Sequence, residues 1–386
     1  MILDCVPMST TEEIHGSANR PERRIKQILL HGFVLVLLLW IGGCSDVAYY
    51  WQAGMGQLQI LNARRPISEV LEDPEVSEVV KTKLRLVMKA QAFGKEVLGM
   101  PDEHQFRYYS DIGRDYVSWL VVASEPYAVE GYQNCFPIVG CLGYRGFFDK
   151  ADGDEFVAEL AGQGYDVLIR PVRAYSTLGW FDDPILSSYI RSPDTQLIAT
   201  IFHEQAHGVL FVKDDTAFSE SFFTFVEREA VRRYLQTQGA EGSRQLERYR
   251  DFIGDQQRFR DIVLRGRRRL EQLYTSDIPR EEMAAQKKRM FQMLREDYQK
   301  VKKSFKIASY DGWFHRELNN AHLVGFQQYR SWLKAFQGMF ERNGRKLTQF
   351  FAAAAELAEL PREERDARLR ALENGVEEKR IADSRP

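Results

Sequence analysis

The chain has 386 residues, of which 44% are hydrophobic and 28% are charged, so its composition is globular and excludes intrinsic disorder. Lysine and arginine (53 residues) nearly balance aspartate and glutamate (55 residues), which argues against a dedicated nucleic-acid binder. A single long apolar run excludes a polytopic membrane protein, and four cysteines are too few for a disulfide-dense scaffold.

The N-terminus has the organisation of an export signal. A basic cluster between Arg20 and Lys26 precedes an apolar run over 28–41, which ends in small residues. This order predicts a signal peptide over residues 1–43. The run is shorter than the roughly 20 residues of a spanning helix, and an N-terminal membrane anchor is the alternative interpretation.

The cysteines carry two predictions. Residues 41–44, Ile-Gly-Gly-Cys, resemble the bacterial lipobox, which implies lipidation of Cys44 and attachment to the bacterial cell envelope, facing the periplasm. Ser45 after the cysteine favours the outer membrane. In an oxidising periplasm Cys135 and Cys141 could close a small disulfide loop, and two free buried thiols are the alternative.

The elements predicted before residue 190 form a small mixed sheet with helices. Apolar spacing and β-branched runs predict helices over 49–61, 78–98 and 152–163 and strands over 116–123 and 165–172.

From Ser192 the pattern becomes helical. Ser192 suits an N-cap, Pro193 the first helical position, and Asp194 the first turn, where the helix dipole favours negative charge. A second helix is expected to run to about residue 238, with phenylalanines on its core side.

Residues 240–305 are highly charged and predict two long helices joined near residues 276–279. Met283 and Leu294 belong to an apolar stripe that fits the seam of a helical hairpin. The arginines within 265–269 suggest an acidic partner, but interleaved acids favour a solvated helix face.

Residues 203–207 read His-Glu-Gln-Ala-His and match H-E-x-x-H. Residues four apart share one helix face, so His203 and His207 can bind one metal ion together. Glu204 then lies beside the open coordination position, where it can take a proton from water. A pair of satisfied core histidines is the structural alternative.

A catalytic zinc usually takes three protein ligands. Residues 218–227, Phe-Ser-Glu-Ser-Phe-Phe-Thr-Phe-Val-Glu, resemble the third-ligand helix of the gluzincin aminopeptidases, and the match implies that Glu220 is the third ligand. Twelve residues separate His207 from Glu220, a shorter gap than is common in that family. Glu227 shares the face of Glu220 and could hold a metal-binding histidine, His203 or His207, through a hydrogen bond, or be the ligand itself.

Most of the chain after Cys44 resembles the lipoproteins of Gram-negative bacteria that are named as zinc aminopeptidases. The segments that carry this resemblance, besides the two helices above, are 49–61, 136–148, 174–184 and 318–321. The resemblance implies a gluzincin-like hydrolase that uses one zinc ion, a peptide substrate and Glu204 as general base.

The remaining site predictions concern substrate and transition state. Tyr175, Gly179 and Trp180 lie in a segment that we interpret as an edge strand pairing with substrate, or alternatively as a buried turn. Tyr329 and Tyr310 are candidates to stabilise the oxyanion.

The sequence contains no clear motif for binding the free amine of a substrate. The G-x-M-E-N segment of gluzincin aminopeptidases is absent, and Asp182 and Asp183 are substitutes by position only.

The sequence therefore predicts an α+β, zincin-like fold, mostly helical, with four parts: signal peptide (1–43), zincin core (44–239), charged hairpin (240–305) and C-terminal helical part (306–386). The predicted function is a zinc-dependent peptidase, and specifically an aminopeptidase. The alternatives are a non-enzymatic envelope lipoprotein that binds a partner through its hairpin, and a cell-wall peptide amidase.

Overall fold

The computed structural model describes residues 44–101, 106–136, 140–174, 183–213, 215–326 and 332–383. The chain divides into two units, Met1–Met55 and Gly56–Pro386. The predicted signal peptide lies outside the described residues, and so does the side chain of Cys44, whose backbone begins the first helix. Within the described ranges, none of the helices has the length and apolarity needed to cross a bilayer.

Helices dominate the structure. They are α1 (Cys44–Asn62), α2 (Ile67–Glu72), α3 (Glu78–Glu96), α4 (Lys150–Gly162), α5 (Ser187–Ile190), α6 (Asp194–His207), α7 (Thr216–Gln236), α8 (Gly239–Tyr274), α9 (Arg280–Val301), α10 (Asp311–Phe314), α11 (Ala321–Val324), α12 (Leu333–Arg342), α13 (Leu347–Ala358) and α14 (Arg362–Asp383). The strands are β1 (Arg64–Pro66), β2 (Tyr108–Ser110), β3 (Ser118–Ser124), β4 (Asn134–Phe136), β5 (Gly140–Leu142), β6 (Arg145–Phe147), β7 (Asp166–Val172) and β8 (Ile185–Leu186).

The strands form three small sheets. One has the order β6-β3-β7 and is antiparallel throughout, and a second has the order β1-β2-β8, in which only β2 and β8 are parallel. The third is the hairpin β4-β5, in which Cys135 faces Cys141 across the strands and forms a disulfide with it. The α+β class is confirmed. The strands are divided among three small sheets instead of one small mixed sheet.

The main core lies where α3, α6 and α7 pack together with α12 and α14. The phenylalanines of α7 recur at helical spacing, and Phe218, Phe222 and Phe225 are all buried there. Phe222 stacks on Phe350 of α13, with 5.7 Å between ring centroids. This core holds α6 against α7, the two helices that carry the H-E-x-x-H motif and the downstream acids.

Helices α8 and α9 pack along each other over a second core. Met283 and Leu294 are buried in that core, at the hairpin seam. The expectation of a solvated arginine face is wrong for Arg267, which is 6% exposed and donates from Nη1 to the carbonyl oxygen of Val129 at 2.6 Å. A guanidinium carries five N–H donors and can hydrogen-bond with several buried carbonyl groups at once. The pattern of charges in the sequence therefore does not show that Arg267 is buried.

The chain leaves α9 through a turn fixed by a buried carboxylate on α8. Both carboxylate oxygens of Asp255 accept hydrogen bonds from the backbone N–H groups of residues 306–308, at 2.7–3.2 Å. The Asp255 side chain is fully buried and pairs with Arg258 at 3.0 Å. This contact ties the end of the hairpin to the middle of α8.

Candidate metal centre

Helix α6 places the two motif histidines one turn apart. Its inner face is apolar and buried, and its start is held by Lys83, whose Nζ donates to the carbonyl oxygen of Ser192 at 2.7 Å and to Asp194 at 2.5 Å. The predicted cap is displaced by one residue: Pro193 is the N-cap, and Ser192 is buried instead. Asp194 lies in the first turn, as expected from the helix dipole.

Helix α7 is held at its first turn by buried polar contacts. Asp215 is the N-cap and accepts from the backbone N–H of Phe218 at 3.1 Å. Its other oxygen accepts from Arg365 of α14 at 2.6 Å, and both side chains are at most 6% exposed. The hydroxyl of Ser219 accepts from the backbone N–H of Val212. These contacts fix the turn that precedes Glu220.

His203, His207 and Glu220 converge. One ligand atom from each of them lies within 4.8 Å of the others, and in the described part of the chain these residues form the one group with metal-binding spacing. The Nε2 atom of His203 is 3.7 Å from Oε2 of Glu220. The ring of His207 stacks on Phe223, with centroids 3.8 Å apart, which fixes its orientation. The shortened link between α6 and α7 therefore still brings the acid to the histidines.

Glu227 orients His203 from the opposite side. Its Oε2 atom is 3.2 Å from Nδ1 of His203, and its Oε1 atom accepts from the hydroxyl of Tyr249 on α8 at 2.8 Å. With the Nδ1 proton donated to Glu227, the lone pair of Nε2 faces Glu220. A carboxylate that holds the outer nitrogen of a histidine is the usual partner of a metal-ligating imidazole.

The electrostatics of the centre favour a cation. Burial acts to lower the pKa of His203, but the carboxylates of Glu227, Glu204 and Glu220 outweigh it, and the pKa is raised. Burial and the charge of His203 lower the pKa of His207 to about 4, so this imidazole is neutral at pH 7 and its lone pair is free. Three carboxylates around two imidazoles make the site attractive to a divalent ion.

Glu204 lines an open cleft beside His203. The cleft has a volume of about 370 Å³ and is also lined by Glu227, Tyr249 and Tyr189. The hydroxyl of Tyr189 hydrogen-bonds with Thr200, and burial raises its pKa to about 12, so it stays protonated. The lining of this cleft includes neither His207 nor Glu220, so the cleft lies on the Glu227 side of His203.

Several predicted site residues cannot be compared with the centre. Tyr175, Gly179, Trp180 and Tyr329 lie outside the described residues, as does Asp182. Their predicted roles stay predictions.

Two other candidates lie elsewhere. Tyr310 stacks on Phe259 in the second core, with centroids 4.0 Å apart, so it is not an oxyanion donor in this arrangement. Asp183 is buried and its carbonyl oxygen accepts from the backbone N–H of Phe106.

Sequence reasoning missed Tyr249 and Tyr189. Tyr249 lies in the charged segment that we interpreted as a hairpin, and one tyrosine among many charges gives no signal of its own. Tyr189 lies in the four-residue helix α5, too short to show periodicity. Only the packing of α8 and α5 against α6 and α7 brings these hydroxyls to the centre.

A protein-family model matches most of the chain. The family model described as Putative aminopeptidase matches residues 48–369, which is most of the chain. Neither the curated proteins nor the solved structures include a significant match. The match includes α6, α7 and the part of α8 that carries Tyr249. The chain therefore belongs to the putative aminopeptidase family.

Proposed function

We propose that this chain is a zinc-dependent aminopeptidase in which His203, His207 and Glu220 hold one zinc ion and Glu204 is the general base. The observation that carries the proposal is the convergence of these three ligand atoms within 4.8 Å on two packed helices. The family match supports peptidase activity at a coarser level.

The donor set fits zinc. Two imidazoles and one carboxylate are the ligands of many catalytic zinc sites, which keep a fourth position for water or substrate. Ligands about 2.1 Å from a tetrahedral ion are about 3.4 Å apart. The 3.7 Å between Nε2 of His203 and Oε2 of Glu220 is close to that separation, so a small side-chain adjustment suffices.

The bound ion and the side chains of the protein would have separate roles in the reaction. A bound zinc ion would supply a Lewis acid that polarises the scissile carbonyl and lowers the pKa of water at its open position. Glu204 directly follows the ligand His203 and lines the cleft next to it, and it would take the proton of the attacking water and pass it to the leaving amine. Tyr189 also lines this cleft, but its hydroxyl donates to the carbonyl oxygen of Gln196 at 3.1 Å, so among the described residues it is not assigned as the oxyanion donor.

We also propose that the protein works in the bacterial cell envelope, anchored through a lipid on Cys44 after removal of residues 1–43. The sequence pattern that supports this is the basic cluster, the short apolar run and the lipobox-like end. The hairpin alternative gains no support from the fold, because α8 contributes Tyr249 to the centre.

The variant Glu204→Gln tests the proposal. It preserves shape and removes the base, so we expect unchanged zinc content and a fall in kcat of about 10²–10⁴-fold, the range for a general base. Aminoacyl 4-nitroanilides and their N-acetylated forms are the substrates, because only an aminopeptidase requires the free amine.

Glu356→Gln, an exposed glutamate on α13, is the matched control and should retain full activity. Undiminished turnover by Glu204→Gln would refute the assigned role, and equal cleavage of N-acetylated substrates would refute aminopeptidase specificity.

A further inference from the structure

A second cavity, of about 620 Å³, lies apart from the metal centre and shares no lining residue with its cleft. Its floor and walls come from β7, from the disulfide hairpin and from the segment around α10 and α11. The side chains that give it chemical character are Arg170, Arg316, His322, Trp313, Phe259 and Phe326.

The charged side chains that line this cavity are all basic. Two arginines line it and no aspartate or glutamate does. Within the described part of the chain, neither Arg170 nor Arg316 has a carboxylate partner, and both residues are exposed. Asp166, the nearby acid, is engaged by Lys287 at 2.6 Å and by the backbone N–H of Asn320 at 2.9 Å.

His322 adds a fixed neutral group. It is buried, and its Nδ1 is 2.8 Å from Oδ1 of Asn319, whose Nδ2 donates to the carbonyl oxygen of Val167 at 2.9 Å. Burial, followed by the charge of Arg316, lowers the pKa of His322 to about 4, so the cation density of the cavity comes from its two guanidiniums. Trp313 meets the imidazole edge-on, with centroids 6.1 Å apart, and provides an apolar wall.

Helix α8 connects this cavity with the cleft at the metal centre. Tyr249, Ile253 and Gln256 line the cleft, and Phe259 lines the cavity. These positions follow one another on one side of the helix, and the rise from residue 249 to residue 259 is about 15 Å. An extended chain covers that distance with about four or five residues.

The chain itself gives an independent bound on the separation. Phe326 lines the cavity, and the backbone N–H of Trp332 donates to the hydroxyl of Ser221, the neighbour of Glu220, at 3.0 Å. Six residue steps join Phe326 to Trp332, so the cavity rim is at most about 22 Å from α7 at that point. Both estimates place the cavity within reach of a short peptide bound at the centre.

We propose that the cavity lined by Arg170 and Arg316 binds a carboxylate of the peptide substrate, foremost its free C-terminus, so that short oligopeptides are the preferred substrates. This inference rests on the proposed function for the direction of the peptide, which has its N-terminus at the metal centre. A guanidinium recognises a carboxylate through charge-assisted hydrogen bonds, two guanidiniums line this cavity, and its aromatic wall would accommodate the last side chain.

The test measures binding and hydrolysis separately. Zinc-loaded Glu204→Gln protein is titrated by calorimetry with pentaalanine, with its C-terminal amide, and with the amide of Ala-Ala-Ala-Ala-Glu, which offers a side-chain carboxylate instead. We expect the amide of pentaalanine to bind about tenfold more weakly than the acid. Recovery with the glutamate peptide would identify the carboxylate, rather than the terminus, as the recognised group.

The arginine variants locate the effect. In the Glu204→Gln background, Arg170→Gln and Arg316→Gln should each weaken the binding of pentaalanine and leave the binding of its amide unchanged. Arg289→Gln replaces an exposed arginine on α9 and should change neither affinity. Equal affinity for acid and amide, or equal weakening of both by the arginine variants, would overturn the inference.

Hydrolysis by the wild-type protein separates this inference from the proposed function. Cleavage of acid and amide with equal KM would overturn the carboxylate site and leave the peptidase intact. Carboxylate-dependent binding without any cleavage would sustain the site and refute the peptidase.

Discussion

Tyr249→Phe is the most informative small change, because it removes one oxygen atom and leaves the three proposed ligands His203, His207 and Glu220 in place. The Tyr249 hydroxyl donates to Glu227 at 2.8 Å, and the other oxygen of Glu227 faces Nδ1 of His203 at 3.2 Å. Burial and the charge of Glu227 raise the pKa of Tyr249 far above its usual value, so the hydroxyl remains a donor. The variant leaves one oxygen of a half-buried carboxylate without this donor.

The expected magnitude follows from that geometry. A hydrogen bond to a charged group contributes about 1.5–3 kcal/mol, and Tyr249 is 5% exposed, so water replaces the lost donor poorly. Loss of an outer-shell partner typically lowers metal affinity 10–100-fold. Tyr249 acts through Glu227, so we expect the lower end of that range, a zinc affinity reduced about tenfold. The unfolding free energy of the metal-free protein should fall by about 1–2 kcal/mol.

Competition with a chromogenic chelator measures the zinc affinity, and urea unfolding of the metal-free protein measures stability. Tyr298→Phe is the matched control, since the buried Tyr298 hydroxyl also donates to a carboxylate, that of Asp311, at 3.0 Å in the second core. The control should lose stability and keep its zinc affinity. A Tyr249→Phe protein whose zinc affinity stays within twofold of wild type would contradict the role assigned to this hydroxyl.

Three further predictions concern the scaffold. Burial acts to raise the pKa of Asp255, but three backbone donors and a guanidinium hold this pKa below its value in the unfolded chain. The ionised Asp255 therefore stabilises the fold above about pH 4, and this stabilisation is lost as the pH falls through the folded pKa. In urea unfolding, Asp255→Asn should lower the unfolding free energy more at pH 7 than at pH 3. Arg365→Met leaves Asp215 charged and buried, and should lower the unfolding free energy by about 3–5 kcal/mol, whereas a loss below 1 kcal/mol would show that this pair is not needed. Gly94→Ala would place its Cβ 2.2 Å from Oε1 of Gln205, whose buried side chain would have to move and strain its hydrogen bond to the carbonyl oxygen of Gln91. We therefore expect a lower melting temperature despite the better helix propensity of alanine.

The sequence predicted the parts of the site that depend on local spacing. His203 and His207 are four residues apart, so any helix places them on one face, and the H-E-x-x-H pattern needs no tertiary knowledge. Glu220 came from resemblance to a known helix, because the length of the link alone leaves its direction open. The helices predicted from apolar patterns over 49–61 and 78–98 correspond to Cys44–Asn62 and Glu78–Glu96.

Features that depend on tertiary packing were not visible in the sequence. The burial of Arg267 follows from carbonyls of distant segments, and the role of Tyr249 follows from the crossing of α8 over α7. The division of the strands into three sheets depends on pairings such as β2 with β8, which are separated by about 75 residues. Local patterns carry no information about such partners.

Anomalous X-ray diffraction at the zinc absorption edge, on crystals of the zinc-loaded protein, tests the metal centre most directly. We expect one strong peak about 2.0–2.2 Å from Nε2 of His203, a ring nitrogen of His207 and an oxygen of Glu220, with a fourth position free of protein atoms. A peak ligated by other residues, or a zinc-soaked crystal with no peak between α6 and α7, would contradict the metallopeptidase account.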